Sequence, residues 1–158
     1  MQKMQASRGK PVMRLDELTR RGFAESRTRT GEFRVFVVHT SRGLTKASLG
    51  AISALTRNLS ARVTLLAVQI VPFPLQLDQP DVSPQFVERE LATLARKAYA
   101  PVDVQVVLAR DLEIGLQRVL TPSSVVVVAS RRGWWPNAEG KLARSLARAG
   151  HTVAALAV

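Results

Sequence analysis

The chain of 158 residues has no cysteine, so it can form no disulfide, present no thiolate nucleophile and hold no metal through sulfur. Aromatic residues make up only 5%, which leaves the core to aliphatic side chains. Acid is scarce as well: 12 Asp and Glu stand against 23 Lys and Arg, a formal net charge of +11. The two histidines, His39 and His151, are far apart and have no spaced carboxylate or cysteine partner, which argues against a metal centre. No apolar run approaches the roughly 18 to 20 residues of a membrane span, and the polar, basic N-terminus lacks a signal-peptide apolar stretch. A Walker motif and a Gly-x-Ser-x-Gly elbow are also missing. Together these absences predict a cytoplasmic protein that is not an enzyme.

What is present is an apolar fraction of 46%, enough for a genuine core. The positive charge is concentrated at the ends: residues 1–34 carry a net +5, residues 35–130 a net +2 and residues 131–158 a net +4. Residues 1–32 lack a sustained apolar period and read as a basic flexible arm, dispensable for folding, with at most a short helix around Leu15 and Leu18. Residues 33–158 read as one domain. A cationic arm and C-terminal face would attract polyanions by releasing counterions, so nucleic acid is an expected alternative partner.

From Phe33 onward strands and helices alternate. Phe33–His39 is predicted as a strand, then Thr45–Leu59 as a helix with Leu49, Ile52, Leu55 and Leu59 inward, and Arg62–Val71 as a second strand. The prolines at 72, 74, 80 and 84 exclude a ladder or helix between them and mark a long loop. Ser83 with Pro84 opens a helix running to about Tyr99; Val102–Leu108 is a third strand; Asp111 caps a short helix. Ser124–Ala129 is a fourth strand, Leu142 and Leu146 anchor a last helix, Gly150 ends it, and Thr152–Val158 is a fifth strand. Right-handed crossovers then require a five-stranded parallel sheet sandwiched between helices.

The segment from Ser124 to Gly133 is the most informative. Its four consecutive valines lack polar alternation, as expected of a strand covered on both faces, and they run straight into Ser130-Arg131-Arg132-Gly133. Ligands of open α/β sheets bind at the carboxyl ends of such strands. Trp134-Trp135-Pro136 follows and could stack on a ligand ring or cover the sheet edge.

The order of elements, with Val35 to Ser41, Val63 to Val68 and Val125 to Gly133, resembles the universal stress protein family over residues 33–158. The resemblance implies a Rossmann-like fold, a regulatory or ligand-sensing role, a homodimer joined through the last strand, and an adenine nucleotide as the family ligand. It places His39, Val68, Ser130, Arg131, Arg132 and Gly133 around that ligand, with the Val68 backbone facing adenine. The chain departs from the ATP-binding pattern: His39 stands where an Asp is expected, Ala129 and Arg132 stand where the first two glycines are expected, and only Gly140 can supply the last one, followed by Lys141 in place of a hydroxyl residue. Those glycines let backbone N–H groups approach phosphate without Cβ obstruction. The expectation is therefore a non-catalytic, stress-protein-like sensing domain that does not bind ATP in the family manner.

Overall fold

The computed structural model describes residues 12–15, 17, 33–56, 61–98, 101–121, 124–131 and 138–158. Six parallel strands form one sheet: β1 (Met13–Arg14), β2 (Phe33–Val38), β3 (Ala61–Ile70), β4 (Val102–Ala109), β5 (Val125–Ser130) and β6 (Thr152–Ala157), in the order β1-β6-β5-β2-β3-β4. Four helices connect them: α1 (Arg42–Thr56), α2 (Pro84–Ala95), α3 (Leu112–Val119) and α4 (Ala138–Arg148). The architecture is the expected Rossmann-like sheet, with one more strand than the five anticipated.

The extra strand lies within the segment expected to be a flexible arm. Met13 pairs with Ala154 and Arg14 with Ala155, while Leu15 is buried in the core. No apolar period announces a strand of two residues; the open edge of β6 supplies its hydrogen-bond partners, and the core beneath supplies its anchor. Residues 1–11, 16 and 18–32 of that arm lie outside the described residues. The same pairing occupies Ala154 and Ala155, part of the edge through which a last-strand homodimer was expected to form.

Strand alternation sorts the core into two layers. Val35, Val37, Val63, Leu65, Val125 and Val127 face Leu49 and Ile52 of α1 and Leu91 and Leu94 of α2. Phe36, Val38, Leu66, Val126, Val128 and Val153 face Leu116 of α3 and Leu142 and Leu146 of α4. Two crossovers thus run over one face and two over the other, in opposite directions along the sheet. The reversal falls between β2 and β5, at the middle of the sheet.

Local chemistry sets the helix ends. Asp111 accepts from the backbone N–H groups of Glu113 and Ile114 at 2.9 and 3.2 Å, as a capping carboxylate should. Gly150 has φ of 100°, and the N–H groups of Gly150 and His151 donate to the carbonyls of Ala147 and Leu146, closing α4 in a Schellman motif. The buried His151 ring turns away from the end of α4 and reaches α3, with Nε2 2.8 Å from Gln117 Oε1. Helix α1 begins three residues before the expected Thr45, because Ser41 supplies its first acceptors: its hydroxyl takes the Leu44 N–H at 3.3 Å and its carbonyl the Thr45 N–H at 2.9 Å. Among the described residues no helix is long and apolar enough to cross a membrane.

Candidate functional site: the crevice between β2 and β5

At the carboxyl ends of the adjacent strands β2 and β5 the chain leaves in opposite directions, the arrangement that opens a crevice in α/β sheets. His39 closes β2. Its N–H donates to the Leu66 carbonyl at 2.8 Å, extending the ladder by one residue. Its Nδ1 lies 2.7 Å from the hydroxyl of Thr45, which is buried in the first turns of α1. With the ring proton on Nε2, Nδ1 accepts from Thr45 and the ring offers a donor at its other end. Burial pushes the His39 pKa below its ordinary 6.5, since the charged imidazolium would lose hydration there. The ring is therefore neutral at pH 7.

Thr40 follows, and its hydroxyl oxygen is buried without a hydrogen-bond partner among the described residues. Such atoms are rare because each forgoes its water at a cost of roughly 1–3 kcal/mol. On the other side of the crevice, Ser130 is half-buried and Arg131 exposed, and the Ser130 carbonyl accepts the Val158 N–H at 2.9 Å. That bond ties the turn after β5 to the end of β6.

Val68 lies two residues beyond Leu66, whose carbonyl faces β2. Along a strand, backbone groups two residues apart point to the same side, so the Val68 N–H and C=O point past the end of β2 toward the crevice. Its side chain instead packs under α3. A Cβ added at Gly115 would come within 2.6 Å of Val68 Cγ1 and 3.0 Å of Ala109 Cβ, so the helix sits directly on β3 and β4 there.

The structure therefore brings His39, Ser130 and Arg131 to one crevice and aims the Val68 backbone at it; Arg132, Gly133 and Trp134-Trp135-Pro136 lie outside the described residues. Sequence reasoning missed Thr40 and Thr45. Their signal was the hydroxyl-rich turn of Thr40 and Ser41 leading into a helix whose inner face carries Thr45 and Ser48. Among the described residues no group of His, Asp and Glu is arranged to hold a metal ion. No protein-family model matches the chain, and no curated protein matches it.

Proposed function

We propose that this chain is a non-catalytic ligand-sensing domain, similar in role to universal stress proteins, whose ligand enters the crevice between β2 and β5. The observation that carries this reading is the buried hydroxyl of Thr40, without a hydrogen-bond partner among the described residues, next in sequence to the desolvated His39 ring, at the point where the direction of the crossovers reverses. A ligand polar group that bonds to Thr40 removes an energetic fault in the free protein, and binding of that kind stabilises the fold.

The ligand would not be ATP bound in the manner of the family. Ala129 occupies the position of the first cradle glycine and is buried in the core, so its methyl group stands where a bare backbone would be needed. Arg131 offers a guanidinium in its place, which suits a smaller anion or a carboxylate.

A thermal-shift screen of nucleotides and small metabolites tests this reading. The expected outcome is a compound that raises Tm in the wild type and does so far less in Thr40→Val. A compound that stabilises both proteins equally would place the ligand elsewhere. For ATP the expected dissociation constant is weaker than about a micromolar; tighter binding, lost in Arg131→Ala, would mean that side chains have replaced the glycine cradle.

The exposed Arg131, Lys141 and Arg148 at the C-terminal side support a second reading, a polyanion-binding module. It requires binding to unrelated DNA sequences that weakens steeply with salt. A nucleic-acid-independent thermal shift blocked by Thr40→Val favours the sensing domain instead.

A further inference from the structure

We infer that the corner made by the end of β3, residues 71–83 and the start of α2 is a docking surface for another protein, one that presents a basic amphipathic segment. Five of the six large hydrophobic side chains exposed among the described residues are here: Ile70, Phe73, Val82 and Phe86, with Ile114 at the adjoining start of α3. Phe73 is 80% exposed. Single apolar residues on a surface are ordinary, whereas a group of them at one corner marks recognition.

The group is held in place by named contacts. Arg110, just past β4, donates through Nη1 to the carbonyls of Val71 at 3.0 Å and Leu75 at 2.7 Å, and its guanidinium lies 4.1 Å from the Phe73 ring centroid. The Gln69 amide donates to the Val82 carbonyl at 2.7 Å, fixing the far end of the loop against β3. The Leu75 N–H donates to Pro72 and the Gln79 N–H to Gln76, so the intervening chain is turned on itself. Phe73 is thus fixed facing water, and a partner that covers it has little loop entropy left to remove.

The rim has the opposite charge to the rest of the molecule. Asp78, Asp81, Glu88, Glu90, Asp111 and Glu113 are all exposed and make up half of the 12 acidic residues in a chain of net charge +11. The only cations among residues 70–90 and 110–114 are Arg89 and Arg110, and Arg110 is committed to the loop carbonyls. Charge complementarity therefore calls for a basic occupant, and the apolar centre for one that is also amphipathic. A second copy of this chain fits poorly. Laid patch on patch, it would set acid against acid; turned to offer its own exposed Arg131, Lys141 and Arg148, it would offer few exposed large hydrophobic side chains, since Val158 is the only one among the described residues away from this corner.

The test is fluorescence anisotropy of a labelled amphipathic Lys/Leu helical peptide of about 18 residues, with its scrambled form and its Glu/Leu counterpart as controls. Titration with the full chain at about 0.15 M salt should give saturable binding of the Lys/Leu peptide alone. Phe86→Ser should weaken it by about tenfold, as should Phe73→Ser and the double charge reversal Asp78→Lys with Asp81→Lys. Phe86 lies on α2, outside the loop that Arg110 holds through Val71, Leu75 and the Phe73 ring, so it remains informative if Phe73→Ser loosens the loop. Three results overturn the inference: no saturable binding, equal binding of either control peptide, or wild-type affinity in the Phe86→Ser protein. Sedimentation in which the wild type self-associates and Phe86→Ser does not would also overturn it, assigning the corner to a second copy.

Discussion

Strands β5 and β4 are both written largely in valine, yet they occupy opposite settings. In β5 the run Val125 to Ala129 is buried residue by residue on both faces. In β4 the first half alternates, with Val102 and Val104 turned toward α2 while Asp103 and Gln105 face water. The cause is the length and placement of α3. That helix has eight residues, starts at the carboxyl end of β4 and covers Val68 and Val107, and among the described residues no helix covers the opposite half of the same sheet face. Over that half lies a shallow hollow of about 300 Å³ lined by Arg34, Phe36, Arg62, Thr64, Asp103 and Gln105. Polar residues interrupt β4 where none of the described helices lies above it, and nothing interrupts β5 because helices cover both of its faces.

The sharpest way to break this contrast is to put the same carboxylate on each strand. Val127→Asp introduces an unpaired charge into a site with no exposure and should cost more than about 4 kcal/mol, abolishing cooperative urea unfolding. Gln105→Asp faces solvent and should stay within about 0.5 kcal/mol of the wild type. If the two variants unfold at similar urea concentrations, the account of the two settings fails.

The contrast also shows why most of the fold could be read in advance. An unbroken valine run, an alternating Val-Asp-Val-Gln run and helices with one apolar face are local records of what covers each segment, so β2 to β6 and the four helices emerge from pattern alone. Contacts that span the chain leave no such record. The strand at Met13 exists because the β6 edge is open to it, and the start of the loop at Val71 and Leu75 is held by Arg110, 39 and 35 residues away from those carbonyls. At the crevice the position of His39, Ser130 and Arg131 follows from strand ends and was legible. That Thr40 has no hydrogen-bond partner among the described residues depends on which groups fail to reach it, which no periodicity encodes.

Gly115 sets the boundary between the half of β3 and β4 that α3 covers and the half that it does not, and replacing it sharpens the comparison. Alanine at a helical position gains up to about 1 kcal/mol in propensity over glycine. Against that, its Cβ would meet Val68 Cγ1 at 2.6 Å, and a β-branched side chain packed between helix and sheet has little room to turn away. The clash should win, leaving Gly115→Ala destabilised by about 1–2 kcal/mol in urea unfolding. Val68→Ala removes the obstructing methyl groups, so the double variant should lose less than the sum of the two single losses. Strict additivity would show that α3 does not rest on Val68 as described.

The smallest effect concerns His39, where a central strand ends and its burial gives way to the crevice. Burial lowers its pKa below 6.5, so the unfolded chain binds this proton more readily than the folded protein does. The sign follows: from neutral pH downward, the wild type loses stability as pH falls below about 6.5 and continues to lose it until the lowered folded-state pKa has been passed. Carboxylates titrate in the same direction at still lower pH, so the informative quantity is the difference in Tm between wild type and His39→Gln, which lacks the titration. That difference should shift against the wild type by about 1–3 °C between pH 7.5 and pH 5, a small effect because the ring is only partly buried and water tempers the penalty. A difference that stays constant with pH, or moves in favour of the wild type on acidification, would mean that His39 is stabilised as the cation. The Thr45 hydroxyl would then have to accept from Nδ1, and Nε2–H would need an acidic partner across the crevice.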